Sequence, residues 1–448
     1  MEEKGKGLTK TIARFIVETR ETDIPSDIYE HAKVAFLDWL GVTIAGKDDP
    51  IVNKLLRYSD LLGGNEQATI IGRGVKKSLS HACLINGAAS HALDYDDTML
   101  SFFGHPSVTM FPSLLALSEF KDKNGSDFLT AYLVGFKVGT LLGTCAGTEH
   151  YMTGWHATST LGHFLSASVC SRILGLNEGR TIYALGIAGT LASGLRKSFG
   201  TMCKPFHAGK AAHDGLLAVL LASDDFTSAP DIFEGPNGFF QIFKGHIDDK
   251  MVASLGKTWD IEGLAQKYHA SCYVTHSPIE AAIAVVQEEG IDIHDIRSID
   301  VRVSLQAPSA ADKTDPKTGL EGKFSINYCV ANALLRGNTG MQAFTDEKVN
   351  DPEVQDLMKK IKILPEKDCV LVMAKVDIET NTGKVYSHIS DVNKEVPRLD
   401  VKKAKIIDKF KDLCEPVMGD GKTADVIDAI LSLEKMGTMK TLIELLGK

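Results

Sequence analysis

Five short segments carry side chains suited to moving protons to and from a carboxylic acid. The first, HALDYDDTMLSFFGHPS at residues 91–107, places three aspartates and two histidines among small and apolar residues. Asp94 is suited to holding a histidine tautomer or contacting a hydroxyl. His105 lies near the start of a predicted helix, where backbone N–H groups favour anions. Taken alone, the segment is explained equally well by a solvated turn that caps the helix.

The second segment, GWHATSTLGHF at residues 154–164, carries two histidines around a Thr/Ser-rich helix start. His156 comes immediately before the helix and is the candidate for proton transfer. A single histidine in such a place is more often structural than catalytic. We interpret His163, seven residues further on, in that structural sense.

The third segment, FGTMCKPFHAGKAAHDG at residues 199–215, gathers cations among glycine and alanine. Small neighbours suit close approach to a ligand, and few acids lie nearby in the sequence. The alternative is a solvated helix start. Metal binding is a weak interpretation because a proline follows the first lysine and no acidic motif matches it. The cations follow one another at three-residue steps, namely Lys204, His207, Lys210 and His213.

The fourth and fifth segments are weaker signals. QKYHASCYVTHSPIEAA offers Lys267 and Cys272, and KFSINYCVANALLRG offers Tyr328. Alone, the cysteine is typical of a buried small residue and the tyrosine of a core aromatic. All five segments nevertheless favour one chemistry, because cations bind carboxylates and imidazoles transfer protons next to them. The sequence has no glycine-rich nucleotide motif or nucleophile elbow.

Two patterns predict the elements that position these residues. A helical period dominates from residue 8 to about 225 and returns from Asp400, and DFLTAYLVGFKVGTLLGTCAG is apolar nearly all round, as in the centre of a bundle. After about residue 268, SIDVRVSLQ and a hairpin through NTG read as strands. We therefore predict a mainly α fold. A large all-α helical domain comprises residues 1–267 with 401–448, and a smaller α+β domain comprises residues 268–400.

The composition of the 448 residues is that of a soluble globular protein, with 44% hydrophobic and 24% charged residues. A net charge of −9 argues against nucleic acid or a membrane surface as partner. We predict no signal peptide and no transmembrane helix. The eight cysteines are scattered without a CxxC pair, which favours reduced thiols. We expect a cytoplasmic protein that binds no metal.

Taken in order, these motifs resemble the MmgE/PrpD family, which includes 2-methylcitrate dehydratase, cis-aconitate decarboxylase and iminodisuccinate epimerase. The resemblance rests on HALDYDDT, GHPS, the GWH segment, KPFHAGKAAHDG, K-x4-C-x3-H and FSINYCVANALL, and covers about residues 8–340. It implies a large helical domain, a smaller α+β lid domain, a homodimer and no metal or organic cofactor. The implied substrate is a small anionic di- or tricarboxylate.

Position by position, the resemblance places eight residues around one pocket. Removing a proton next to a carboxylate builds negative charge that fixed cations must meet, and the two lysines are assigned that role. The two histidines supply the base and the acid in an order that the sequence leaves open, while the aspartate orients one imidazole. The catalytic residues would be His105, His156, Asp94 and Lys204, and the substrate-binding residues Thr98, Lys267, Cys272 and Tyr328.

The resemblance implies a lyase that dehydrates a tricarboxylic hydroxy acid such as 2-methylcitrate. One alternative is an epimerase of an imino- or amino-dicarboxylate, and another is a cis-aconitate decarboxylase. Decarboxylase members carry a histidine where this chain has Cys272, which weakens the case for itaconate formation. A non-enzymatic scaffold is the least favoured alternative, because a scaffold has no physical use for desolvated cations.

Overall fold

The computed structural model describes residues 7–311, 313–370 and 372–447. The protein is mainly α with a smaller α+β part, which confirms the predicted fold class. The chain forms two compact units. The first comprises Met1–Gln266 with Leu399–Lys448, and the second comprises Lys267–Arg398.

The first unit is helical apart from one short hairpin. Its helices before the second unit are α1 (Leu8–Glu18), α2 (Ser26–Ala45), α3 (Pro50–Leu62), α4 (Leu79–Ala92), α5 (Ser107–Phe120), α6 (Gly125–Met152), α7 (Ala157–Thr160), α8 (Gly162–Leu174), α9 (Glu178–Leu191), α10 (Cys203–Ser223), α11 (Phe239–Ile242) and α12 (Asp249–Ala253). The hairpin pairs β1 (Ala68–Ile70) with β2 (Val75–Lys77).

The second unit combines short helices with a four-stranded sheet. Its elements are α13 (His276–Glu289), β3 (Ile296–Ser304), α14 (Ala307–Ala310), α15 (Gly319–Gly322), α16 (Ile326–Arg336), α17 (Asp346–Val349), α18 (Pro352–Met358), β4 (Ile361–Glu366), β5 (Met373–Thr380) and β6 (Val385–Asp391). The strand order is β4-β3-β5-β6. β3 pairs with β4 in parallel and with β5 antiparallel, and β5 and β6 form the predicted hairpin. Helix α13 packs against β5 and β6.

The chain then returns to the first unit as α19 (Leu399–Met418), α20 (Asp420–Leu431) and α21 (Met439–Gly447). Helix α19 packs along α2 and carries a buried lysine, Lys409. Its Nζ lies 2.6 Å from Asp38 Oδ1 and donates to Tyr95 O, also at 2.6 Å. Because Tyr95 directly follows Asp94, this contact fixes the backbone of the first predicted site segment.

Helix α6 is the core helix that its sequence predicts. By length and composition alone it could cross a membrane, but 94% of its most apolar window is buried inside the protein. Its aromatic residues stack with those of neighbouring helices, as in the contact between Phe111 and Tyr132, whose ring centroids are 4.1 Å apart. Burial of this apolar surface is the dominant stabilising contribution in such a helix.

Helices α4 and α10 pack in direct backbone contact. A Cβ atom added at Gly87 would lie 2.6 Å from Gly209 Cα, so these two backbones touch directly. Only residues without a Cβ permit such an approach. The helices run antiparallel, since Asp94, beyond the end of α4, meets Lys204 in the first turn of α10. The glycine contact therefore sets the distance across which the two charged residues meet.

Substitution of Gly209 tests this dependence. A Cβ there would lie 2.2 Å from Leu84 O, so Gly209→Ala should lower the free energy of unfolding by roughly 3 kcal/mol or more. Gly421→Ala is the matched control, because that helical glycine has no atom within 4 Å of an added Cβ and the change should be neutral or stabilise by up to about 1 kcal/mol. Equal melting temperatures for Gly209→Ala and wild type, measured by circular dichroism, would contradict the close contact.

Candidate active site

The site begins in the segment that follows α4. Asp94 adopts a left-handed conformation with φ of 52°, which aspartate tolerates better than most residues. The chain turns at this residue, so that Asp94 and Asp96 meet different partners. It then passes through a 3₁₀ turn at Leu100–Phe102 before α5 begins at Ser107.

Asp96 is the carboxylate that contacts two imidazoles. Its Oδ1 lies 2.9 Å from His91 Nδ1, and its Oδ2 lies 2.9 Å from His105 Nδ1. Burial alone would raise the pKa of Asp96, but the adjacent imidazoles outweigh it and hold that pKa well below its usual range. Asp96 is therefore ionised, and it accepts a hydrogen bond from each ring.

These contacts select one tautomer of His105. Its Nδ1 lies 2.8 Å from Asp97 O as well as close to Asp96, and both partners can only accept. The Nδ1 atom therefore carries a proton, which leaves Nε2 to exchange protons with a substrate. His91 has the same Nδ1 contact, and its buried Nε2 has no hydrogen-bond partner among the described residues.

Lys204 provides the buried cation. Its Nζ donates to Asp94 Oδ1 at 2.6 Å, and the exposed fractions of the two side chains are 10% and 11%. Nζ also lies 5.7 Å from the centre of the Phe199 ring. An ion pair of this kind places a strong positive charge in a desolvated part of the site.

His156 is held at the N-terminus of α7. Its backbone N–H donates to Gly194 O at 3.0 Å, and Gly194 has a φ of +130° that favours glycine. Its Nδ1 lies 3.0 Å from Nδ1 of His207. Burial, followed by the proximity of His91 and Lys204, lowers the pKa of His156 well below the ordinary value, so this imidazole is neutral at neutral pH.

Three imidazoles lie side by side in this site. The ring centre of His91 is 4.5 Å from that of His105 and 6.2 Å from that of His156. Burial lowers the pKa of His91 to about 4. The site thus combines the neutral imidazoles of His91 and His156, the Asp96 carboxylate that contacts His91 and His105, and the Lys204 ammonium group. This combination is suited to accepting and donating protons beside a bound carboxylate.

The structure brings four of the eight predicted residues together in the first unit: Asp94, His105, His156 and Lys204. Thr98 lies in the same segment. Its backbone pairs with Ala265, and its hydroxyl donates to Gly104 O at 3.2 Å, immediately before His105. Thr98 therefore supports the His105 segment in this structure, and its contact with substrate stays a prediction.

The other three predicted residues lie in the second unit. Lys267 is buried, and Cys272 is half-buried with its Sγ 3.7 Å from Ala310 O. Tyr328 is wholly buried, and its hydroxyl donates to Ala343 O. Burial raises the pKa of this tyrosine to about 12, so it remains protonated. A role for these residues in binding substrate stays a prediction.

The structure contradicts the solvated helix start that was the alternative interpretation of the 199–215 segment. Lys204 is buried rather than solvated, because α10 packs closely against α4. The cations also have acidic partners: Lys204 pairs with Asp94, and Lys210 Nζ lies 2.6 Å from Asp214 Oδ2. Asp94 could not be recognised as a partner because it is distant in sequence, whereas Asp214 lies within the segment itself.

Sequence reasoning also missed three residues of the site, namely His91, Asp96 and His207. The first two were visible in the HALDYDDT motif, but the sequence does not show which of its aspartates faces the imidazoles. The assignment of Asp94 to orient an imidazole stays a prediction. The carboxylate seen in contact with His91 and His105 is that of Asp96. His207 was identified only as one of four evenly spaced cations.

The ligand-type atoms of His91, Asp94, Asp96 and His105 all lie within 4.8 Å of one another. Such a donor set has the types that bind divalent metals. The Lys204 ammonium group already contacts Asp94, and both imidazoles direct an Nδ1–H at Asp96. A metal ion would have to displace these protons and repel the lysine, so the donor set favours the ion-pair arrangement.

Fold and site together define a mainly helical protein with a buried cluster of imidazoles, carboxylates and one ammonium group. The family model for the MmgE/PrpD N-terminal domain matches residues 10–251, and the model for the MmgE/PrpD C-terminal domain matches residues 269–435. The chain belongs to the MmgE/PrpD family. The second match extends well beyond residue 340, where the motifs recognised in the sequence end. Membership supports an enzyme of lyase type.

Among its relatives is the cis-aconitate decarboxylase of Aspergillus terreus, which is 28% identical over 98% of this chain and 96% of the relative. The cis-aconitate decarboxylase of Mus musculus is 26% identical over 98% of this chain and 93% of its own length. A probable 2-methylcitrate dehydratase of Saccharomyces cerevisiae is 24% identical over 79% of this chain and 72% of its own length. The chain is thus similar to lyases of two different reactions.

The ion-pair arrangement predicts that exhaustive chelation leaves activity unchanged. Turnover should be the same before and after dialysis against EDTA, with metal content followed by elemental analysis. Activity that disappears on dialysis and returns only with added iron, zinc or magnesium would show that the cluster holds a metal.

The buried imidazoles predict a pH dependence of stability. Burial first, and then neighbouring cations, lower the pKa of His207 to about 4, as burial does for His91. In the unfolded chain the two imidazoles bind protons as the pH falls through about 6.5, whereas in the folded chain they do so only near pH 4. The stabilisation is therefore complete above about pH 6.5 and is lost as the pH falls towards about 4.

Urea unfolding should show that the free energy of unfolding falls by several kcal/mol as the pH is lowered from about 6.5 to about 4. His207→Asn removes one contributing group. The slope of its free energy of unfolding against pH should therefore be shallower than that of the wild type by up to about 1.4 kcal/mol per pH unit. The exposed His294→Asn is the control and should keep the wild-type slope. Identical slopes for all three proteins would contradict the buried neutral state of His207.

Proposed function

We propose that the protein is a lyase that forms a carbon–carbon double bond beside a carboxylate of a small di- or tricarboxylate. Dehydration of a tricarboxylic hydroxy acid such as 2-methylcitrate is the leading candidate. The observation that carries this proposal is the pair of imidazoles in opposite electrostatic surroundings. His105 contacts the Asp96 carboxylate, whereas His156 is buried close to the Lys204 ammonium group and to other imidazoles. Dehydration needs both a base and an acid.

In the proposed reaction His156 is the base. Its neutral state leaves an imidazole nitrogen able to accept the proton from the carbon next to the carboxylate. His105 is the acid, because the Asp96 carboxylate stabilises the positive charge of a protonated ring and holds its Nδ1–H. The Nε2 proton then passes to the departing hydroxyl group, which leaves as water. Two titratable groups with opposed surroundings commonly divide the two roles in this way.

Lys204 has the electrostatic role in this proposal. As the proton leaves, negative charge develops on the neighbouring carboxylate, and a preorganised ammonium group stabilises that charge more than it stabilises the ground state. The partner that substrate displaces is Asp94, at 2.6 Å from Nζ. Release of Asp94 from this ion pair would offset part of the binding free energy. A short monocarboxylate has few other groups whose contacts could compensate, so its affinity should be low.

Decarboxylation is the second candidate. The observation that favours it is the extent of the similarity. The relatives named cis-aconitate decarboxylase align over 98% of this chain, whereas the named 2-methylcitrate dehydratases align over 75–79%. In that reaction carbon dioxide leaves from a carboxylate, and an imidazolium delivers a proton to carbon.

A panel of di- and tricarboxylates followed by proton NMR in deuterated water separates the candidates. Dehydration converts 2-methylcitrate or citrate to an alkene without release of carbon dioxide. Decarboxylation converts cis-aconitate to a product one carbon shorter. Solvent deuterium at a retained carbon of an otherwise unchanged substrate would indicate epimerisation and contradict both proposals.

Lys204→Met and His156→Gln test the two principal roles. Loss of the ammonium group should lower kcat about a hundredfold or more, since a preorganised charge of this kind has effects of that size. Loss of the imidazole should lower kcat by a similar factor, because general base catalysis contributes about a hundredfold or more. Initial rates on the best substrate of the panel give both values.

The controls are a buried lysine and a buried histidine outside the site. Lys33 Nζ contacts Glu434 at 3.1 Å, and His150 contacts Thr160 at 2.7 Å. Lys33→Met and His150→Gln should lower the melting temperature while leaving kcat per folded molecule unchanged. Near-wild-type turnover in Lys204→Met or His156→Gln would show that the corresponding residue has no catalytic role.

A further inference from the structure

His207 lies one helical turn after Lys204 on α10 and is 7% exposed. Its Nδ1 is 3.0 Å from His156 Nδ1. The proposed reaction, as described above, assigns it no role. A buried imidazole in direct contact with the proposed base nevertheless determines the state in which that base can act.

The contact between two Nδ1 atoms needs one proton. One nitrogen must donate, and the other must accept with its lone pair. When His156 donates, its own Nε2 carries a lone pair and can accept a proton. When His207 donates, Nε2 of His156 carries the proton instead and cannot act as a base. The position of one shared proton therefore decides the chemical role of His156.

Charged and titratable groups surround His207 from two directions. Lys204 and Lys210 face it from its own helix, and His163 faces it from α8. His163 Nε2 and Lys210 Nζ both contact Asp214 Oδ2, at 3.1 and 2.6 Å. Burial first, and then the charges of Lys210 and Lys204, lower the pKa of His207 to about 4, so this ring is neutral before reaction. A neutral ring leaves one nitrogen free of a proton, as acceptance from His156 requires.

We propose that His207 is a positioning residue for His156: it holds His156 in the tautomer with Nδ1 protonated, and it accepts that proton when His156 takes one from the substrate. This proposal rests on the proposed function. The C–H bond breaks, its electron pair forms the double bond, and the C–O bond breaks with a proton from His105, releasing water. The substrate proton reaches Nε2 of His156, and the Nδ1 proton of His156 moves to Nδ1 of His207.

Two substitutions separate the two parts of this role. His207→Asn places an amide near the position of Nδ1, which can hold the tautomer of His156 but cannot take up its proton. His207→Leu removes both functions. We expect kcat to fall about tenfold for asparagine and about a hundredfold or more for leucine, with KM changed by less than about threefold. His150→Asn is the control and should keep wild-type kcat.

A double-mutant cycle tests whether His207 acts through His156. If it does, the double variant His156→Gln/His207→Leu should be no slower than His156→Gln alone. Rate losses that multiply would overturn the proposal, as would wild-type turnover in His207→Leu. If the leucine variant does not fold, the same cycle is made with His207→Asn.

Nitrogen NMR of protein labelled with ¹⁵N-histidine tests the positioning without any substrate. In the wild type, Nδ1 of His156 should show the shift of a protonated nitrogen and Nε2 that of an unprotonated one. In His207→Leu this preference should be lost. Unchanged shifts would overturn the proposal. If the shifts change as expected but no carboxylate is turned over, the proposed function fails while the positioning by His207 stands.

Discussion

The arrangement of the site depends on the direct backbone contact between α4 and α10 at Gly87 and Gly209. Because the two helices touch without intervening side chains, the end of α4 lies beside the beginning of α10. Lys204 therefore reaches Asp94 at 2.6 Å in a buried place. Buried charges are tolerated only when they are paired with good geometry, so a small displacement of either helix would destabilise both charges. The same contact fixes the positions of His91 on α4 and His207 on α10.

The histidines of the site have different electrostatic surroundings as a result of this packing. Asp96 lies between His91 and His105, whereas His156 lies among imidazoles and near the ammonium group of Lys204. One histidine thus contacts an anion, whereas another is buried under the influence of a cation. Differences of this kind give chemically identical side chains different tasks at one pH. The proposed acid and base are assigned on this difference and not on their order in the sequence.

Much of the secondary structure follows from local patterns. Helix α6 is apolar on all sides and is buried accordingly, and the turn at NTG joins β5 and β6 as predicted. The partners within the site could not be derived in this way. The sequence does not distinguish the neighbouring carboxylates of DYDD, and in the structure Asp94 adopts a left-handed conformation that Asp96 and Asp97 do not. The contact between His156 and His207 joins residues 51 positions apart, and no local period reports it.

The contacts of Lys409 have a consequence for synthesis of the protein on the ribosome. This lysine binds Tyr95 O across 314 residues of chain, beside the first site segment, and it also pairs with Asp38. When residues 91–107 leave the ribosome, the helix that holds their backbone has not yet been made. Domains usually fold as units during translation, but here the second unit emerges complete before the first can close. A nascent chain therefore lacks this support for the backbone beside Asp94 until α19 has emerged, and a chain that terminates before Lys409 never gains it.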